Sequence, residues 1–110
     1  MTRAIRFDQC GKPDVLQYRK VALPSLRDKE VLVKHEAVGV NFIDTYHRSG
    51  LYPVALPSGL GKEAAGFVEA VGANVQHIAV GDRVAYVNAP LGAYAQQHIV
   101  SDEQARCNCA

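Results

Sequence analysis

Val31-Leu32-Val33-Lys34-His35-Glu36-Ala37-Val38-Gly39-Val40 runs straight into Asn41-Phe42-Ile43-Asp44-Thr45-Tyr46-His47-Arg48-Ser49-Gly50-Leu51-Tyr52-Pro53. The first ten residues read as a strand, with Val31 and Val33 on one face and Lys34 and Glu36 on the other. Asn41 then opens a helical turn to about Arg48. Phe42, Tyr46 and Ser49 stand near helical spacing, and Gly50 suits its C-terminal end.

Period two continues in both directions. Ala4 to Phe7 and Leu16 to Val21 are short strand candidates, closed by Gly11-Lys12-Pro13 and by Pro24. Residues 50–61 form a loop, where Pro53 and Pro57 fix φ and Gly50, Gly59 and Gly61 permit positive φ. Ala64 to Val71, Val84 to Val87 and Ala93 to Val100 complete the strand set. Short strands separated by turn signals argue for an antiparallel barrel or sandwich and against a βαβ sheet.

The 110 residues suffice for one domain, with 48% hydrophobic and 21% charged residues. A net charge of +1 supplies no field for nucleic acid or anionic lipid. No apolar run approaches the roughly 20 residues of a membrane span. Met1 to Arg6 lacks a signal-peptide stretch, so a cytoplasmic protein is expected. Cys10, Cys107 and Cys109 do not make a disulfide framework.

Gly59-Leu60-Gly61-Lys62-Glu63-Ala64 matches G-x-G-x-x-A, but a dinucleotide loop needs a strand before it and a helix after it. A Pro-rich loop precedes this one and a Val-rich strand follows, so it reads as a turn into a strand. Gly81-Asp82-Arg83-Val84 reads as a structural turn: Gly81 takes φ > 0, Asp82 caps backbone N–H groups, and Arg83 pairs with a carboxylate or caps a carbonyl. His35, His47, His77 and His98 lack His or Cys partners at tight metal spacing, and Cys107-Asn108-Cys109 has no second pair. The histidines read as solvated, the tail as frayed, and no metal site is expected.

Asn41, Asp44, Thr45, Tyr46 and Tyr52 remain. An amide and phenols hydrogen-bond a carboxamide or quinone oxygen without ionising, and a tyrosine face stacks on a flat ring. Capping explains the same residues equally well: an Asn N-cap, an Asp in the first turn and a Tyr toward the core need no ligand.

The ordered set Gly39 to Tyr46, Gly50 to Pro53, Gly59 to Gly66, Val71-Gly72 and Gly81 to Val84, with Gly11-Lys12-Pro13-Asp14-Val15-Leu16 before it, closely resembles the medium-chain dehydrogenase/reductase superfamily. Within it the likeness is to the zinc-free quinone oxidoreductases of the zeta-crystallin-like branch, over residues 3 to about 100. In the superfamily's zinc enzymes the positions matching Asn41 and Lys62 are Cys and His ligands; an amide and a protonated amine are poor substitutes. The resemblance implies a mainly β, GroES-like, partly open barrel with a short helix after the main strand, spanning 1–110. It implies NADPH-dependent reduction of a quinone or related conjugated carbonyl by an intact homodimeric enzyme. It assigns Asn41, Tyr46 and Tyr52 to catalysis. The segment Asn41, Phe42, Ile43, Asp44, Thr45, Tyr46 is assigned to the nicotinamide end of the cofactor.

The resemblance also implies a Rossmann domain that this sequence does not contain, so the chain is expected to be truncated before it and to turn over little alone. Ser101 to Ala110 departs from the family's apolar, proline-containing continuation. The competing expectation is a free-standing GroES-like binding or assembly module without enzyme activity.

Overall fold

The computed structural model describes residues 2–107. Eight strands and one α-helix occur in the order β1 (Thr2–Phe7), β2 (Gln17–Val21), β3 (Glu30–Val38), α1 (Phe42–Ser49), β4 (Ser58–Gly59), β5 (Ala64–Val71), β6 (Arg83–Tyr86), β7 (Gln97–Ser101) and β8 (Arg106–Cys107). A 3-10 turn at Pro13–Val15 joins β1 to β2. All pairings are antiparallel, in a three-stranded sheet ordered β2-β1-β4 and a five-stranded sheet ordered β7-β3-β5-β6-β8. An isolated Ala4–Ala95 bridge ties β1 to the segment just before β7. Strand pairing does not close a full barrel among the described residues, as a partly open one requires.

The alternation in the opening stretch is real: Val31 and Val33 are fully buried while Lys34 and Glu36 face solvent. They pack with Val68, Val84, Tyr86, Ala93 and Val100 in one apolar core. Two irregularities interrupt the β3–β5 ladder, where the register leaves Glu69 and Glu36 without opposite partners. Such bulges twist a strand and re-aim its side chains. Glu36 meets Arg83 at 3.3 Å, and Arg83 also lies 4.6 Å over the Phe67 ring. Gly81 takes φ 93° and Asp82 Oδ2 accepts the Ala79 N–H at 2.9 Å, as that turn's sequence predicts.

Four expectations need correction. Gly59 does not adopt positive φ. It lies in β4, where a Cβ would stand 2.9 Å from Gly92 Cα, so its role is close backbone approach. The strand expected from Ala93 begins only at Gln97, as β7; Ala93 to Gln96 instead forms the corner that meets both sheets. The solvated reading fails for three of the four histidines. His47 is buried, and His35 and His98 are partly buried with ring nitrogens anchored to backbone. The His35 Nδ1–H donates to the Ala95 carbonyl at 2.8 Å, leaving Nε2 to accept the Tyr86 O–H at 2.7 Å. His98 Nε2 meets the Pro90 carbonyl at 3.0 Å. His77 is exposed, with Nε2 3.1 Å from the Asp102 carbonyl. The frayed-tail reading fails at Cys107, which lies in β8 opposite Val84; Asn108, Cys109 and Ala110 lie outside the described residues.

Candidate functional site

Helix α1 departs from an ordinary surface helix at three positions. Its buried residues are Asp44 and His47, whereas Phe42 is 78% exposed. An exposed aromatic side chain thus stands beside two inward-turned polar ones, while Thr45 and Ser49 face solvent in the ordinary way.

The polarity reversal has a local cause. Asn41 is the N-cap, with extended φ −125° and ψ 154°, and Asp44 Oδ2 returns to accept the Asn41 N–H at 3.0 Å. The same oxygen accepts the Tyr94 O–H at 2.6 Å. Burial, the Asp44 hydrogen bond and the carboxylate charge all push the Tyr94 phenol well above its ordinary range. The Tyr94 ring in turn lies over Gly61, whose φ of 94° and lack of a Cβ make room for it. Tyr94 N–H donates to the Leu60 carbonyl at 2.8 Å. Asp44 and Tyr94 therefore tie the first turn of α1 to the loop that carries Lys62. At its other end α1 stops at Gly50, with φ 91°, and the Arg48 carbonyl accepts the Gly11 N–H at 2.9 Å.

This clamp opens a cleft of about 360 Å³ between the start of α1 and the entry to β5, lined by Asn41, Phe42, Ile43, Lys62, Glu63 and Asn88, with Val87 at its edge. Beside it runs an aromatic face. The Phe42 and Tyr46 rings are 5.8 Å apart, and Tyr46 meets Tyr52 edge-on at 5.3 Å. Phe42 belongs to both.

The structure thus divides the residues singled out in the sequence. Asn41, Phe42 and Ile43 line the cleft, and Tyr46 and Tyr52 extend it as a partly exposed aromatic surface. Asp44 is 3% exposed and turned inward, and Thr45 Oγ1 donates to the Phe42 carbonyl at 2.6 Å, so neither lines the cleft. Lys62, Glu63, Asn88 and Tyr94 were not among the site residues anticipated. Asn88 holds φ 55°, a left-handed conformation for which Asn is enriched, and an Asn-Ala-Pro turn was the available signal. Among the described residues no group of three or more His, Cys, Asp or Glu is placed to hold a metal. No helix among them is long and apolar enough to cross a membrane.

Two antiparallel β-sheets with a cleft at the head of the one α-helix among the described residues are the architecture of a GroES-like domain. Residues 27–108 match the alcohol dehydrogenase GroES-like domain, and the chain belongs to that family. It is 52% identical over 105 residues to a quinone oxidoreductase of Pseudomonas aeruginosa, covering 94% of this chain and 32% of that protein. The crystal structure of Pseudomonas syringae quinone oxidoreductase superposes with a TM-score of 0.96 at 47% identity, over 99% of this chain and 34% of the other. The Escherichia coli quinone oxidoreductase, solved in complex with NADPH, gives 0.92 at 48% identity, over 97% and 33%. The chain spans about a third of the length of these relatives.

Proposed function

We propose that the chain is the catalytic-domain portion, residues 1–110, of a zinc-independent, NADPH-dependent quinone oxidoreductase that reduces a quinone or related conjugated carbonyl. The observation that carries this is the convergence of Asn41 and Lys62 on one cleft, flanked by the exposed Phe42–Tyr46–Tyr52 face.

The residues present suit one end of the cofactor. The exposed Asn41 amide offers both donor and acceptor to a carboxamide, and the aromatic face accepts a flat ring. The glycine pattern at Gly59 and Gly61 does not suit the phosphate end. It packs against Gly92 and Tyr94 and leads into β5, with no helix N-terminus to receive a pyrophosphate. NADPH, when bound, supplies the hydride. Asn41 and Tyr46 orient the nicotinamide and the substrate oxygen, and Tyr52 lines the quinone side. Asp44 acts from beneath by fixing the Asn41 backbone. An amide and an ammonium at the head of the cleft are a poor donor set for zinc, which favours zinc-independent chemistry. The same reading carries a cytoplasmic homodimer for the intact protein.

The test is quinone-dependent NADPH oxidation, measured with the 110-residue chain and with a longer protein that adds a cofactor domain. Reduction by the longer protein and little turnover by the short one are expected. Robust turnover by the 110 residues would overturn the division of labour. Failure of the longer protein on every quinone and enone tried would overturn the activity.

A further inference from the structure

We propose that the cleft at the head of α1 binds a carboxylate, and that Lys62 thereby selects flat conjugated substrates carrying one. The inference rests on the reading of this cleft as substrate-facing. Lys62 lines it half-buried, yet the ion pairs among the described residues are Arg19–Asp8 and Arg83–Glu36, and Lys62 belongs to neither. No hydrogen bond of its side chain is present among the described residues either. Its fixed point is the backbone, where the Lys62 carbonyl accepts the Ala89 N–H at 3.2 Å and holds Asn88 alongside. An ammonium with three donors and no protein partner among the described residues favours an anionic oxygen.

The surrounding groups define the ligand further. Asn41 and Asn88 add neutral amide donors, and Phe42 offers an exposed ring beside them. Glu63 is the opposing charge in the cleft. Its carboxylate is turned against Gly39, where a Cβ would stand 2.0 Å from Oε1, and it makes no ion pair with Lys62. An anion in the cleft meets attraction at Lys62 and Asn88 and repulsion at Glu63. A cleft of about 360 Å³ is at the small end for ligand sites, which run from about 300 to 1,000 Å³. The adjoining exposed Phe42 ring favours a planar carboxylate over a phosphate.

The probe is benzoate, titrated into the 110-residue chain while backbone amide resonances are followed by NMR. Nitrobenzene, planar and neutral with no carboxamide, serves as the isostere and inorganic phosphate as the competing anion. Saturable benzoate shifts are expected at Phe42, Ile43, Lys62 and Asn88, with nitrobenzene about tenfold weaker or worse. Lys62→Met should weaken benzoate by a similar factor, Lys62→Arg should retain it, and Glu63→Gln should tighten it. Raising salt on the unmodified chain should weaken benzoate and leave nitrobenzene unchanged, which needs no variant to fold. Equal response to nitrobenzene, undiminished binding by Lys62→Met, absence of saturable shifts in the cleft, or phosphate outcompeting benzoate would each overturn the proposal. Binding of benzoate is read without hydride transfer, so its failure leaves the reductase assay standing, and failure of that assay leaves the anion site standing.

Discussion

Asp44 shows how a single carboxylate converts a helix start into a built surface. One oxygen takes both the Asn41 N–H and the Tyr94 O–H, while Oδ1 is buried without a hydrogen-bond partner. In Asp44→Asn the amide oxygen still accepts both bonds, uncharged and weaker, but the new NH2 takes the buried Oδ1 position, where no acceptor waits. Asp44→Asn should cost about 1–3 kcal/mol, the range for orphaning buried partners. Tyr94→Phe, which leaves the carboxylate with one donor fewer, should fall in the same range. The two should be less than additive in denaturant unfolding, because they act on one shared bond. Additive losses would show that the Asp44–Tyr94 contact carries no coupling. Asn41 was legible in the sequence as the opening of the helix, since N-cap chemistry is local. The inward aim of Asp44 was not. An acid at the third helical position looks the same whether it faces solvent or a tyrosine fifty residues away. The resemblance pairs Lys62 with Asn41 only as matches to zinc ligands; its place beside Asn88 depends on separate segments meeting.

Strands β3 and β5 were readable because alternating valines report a half-buried surface directly, and β5 was anticipated with both ends correct. What the sequence could not convey was the register, including the two irregularities that leave Glu36 and Glu69 without opposite residues. Glycines in this sheet do different work. At Gly66 a Cβ would lie 1.9 Å from the Lys34 carbonyl oxygen, which is backbone of the paired strand and cannot yield without parting the ladder. At Gly39 the colliding atoms belong to the Glu63 side chain, which can rotate away. Gly66→Ala should therefore cost about 3 kcal/mol or more, at the upper end of overpacking, and Gly39→Ala about 1 kcal/mol or less. Urea unfolding of the two variants in parallel checks the ordering. Equal losses would mean that the β3–β5 spacing is softer than its pairing implies.

Across the whole molecule the apolar surface is unevenly spent. The valine core is sealed, yet Val40, Phe42, Leu51 and Val87 are each at least 60% exposed, and Phe42 and Val87 flank the cleft. The total accessible surface of 6619 Å² is also somewhat above the roughly 6,000 Å² expected of a monomer of this mass. Buried titratable groups then set the limits of stability from both sides. Burial lowers His35 and His98 below the usual 6.5, against the lesser pull of their carbonyl partners, and the His35 and Arg6 charges depress His98 further. Below that pH the unfolded chain takes up protons the native histidines refuse, so stability falls as pH drops through 6.5. Burial likewise raises Tyr86 and Tyr94 above the usual 10.0. Above it the unfolded chain releases protons the native tyrosines keep, so stability falls again as pH rises past 10. Melting temperature against pH should therefore show a plateau between about 6.5 and 10 with a decline on either side. Tyr86→Phe separates the limbs. It lowers the plateau by removing the donor to His35 Nε2, but it should flatten the alkaline decline. An alkaline limb as steep in Tyr86→Phe as in the unmodified chain would place the responsible group elsewhere.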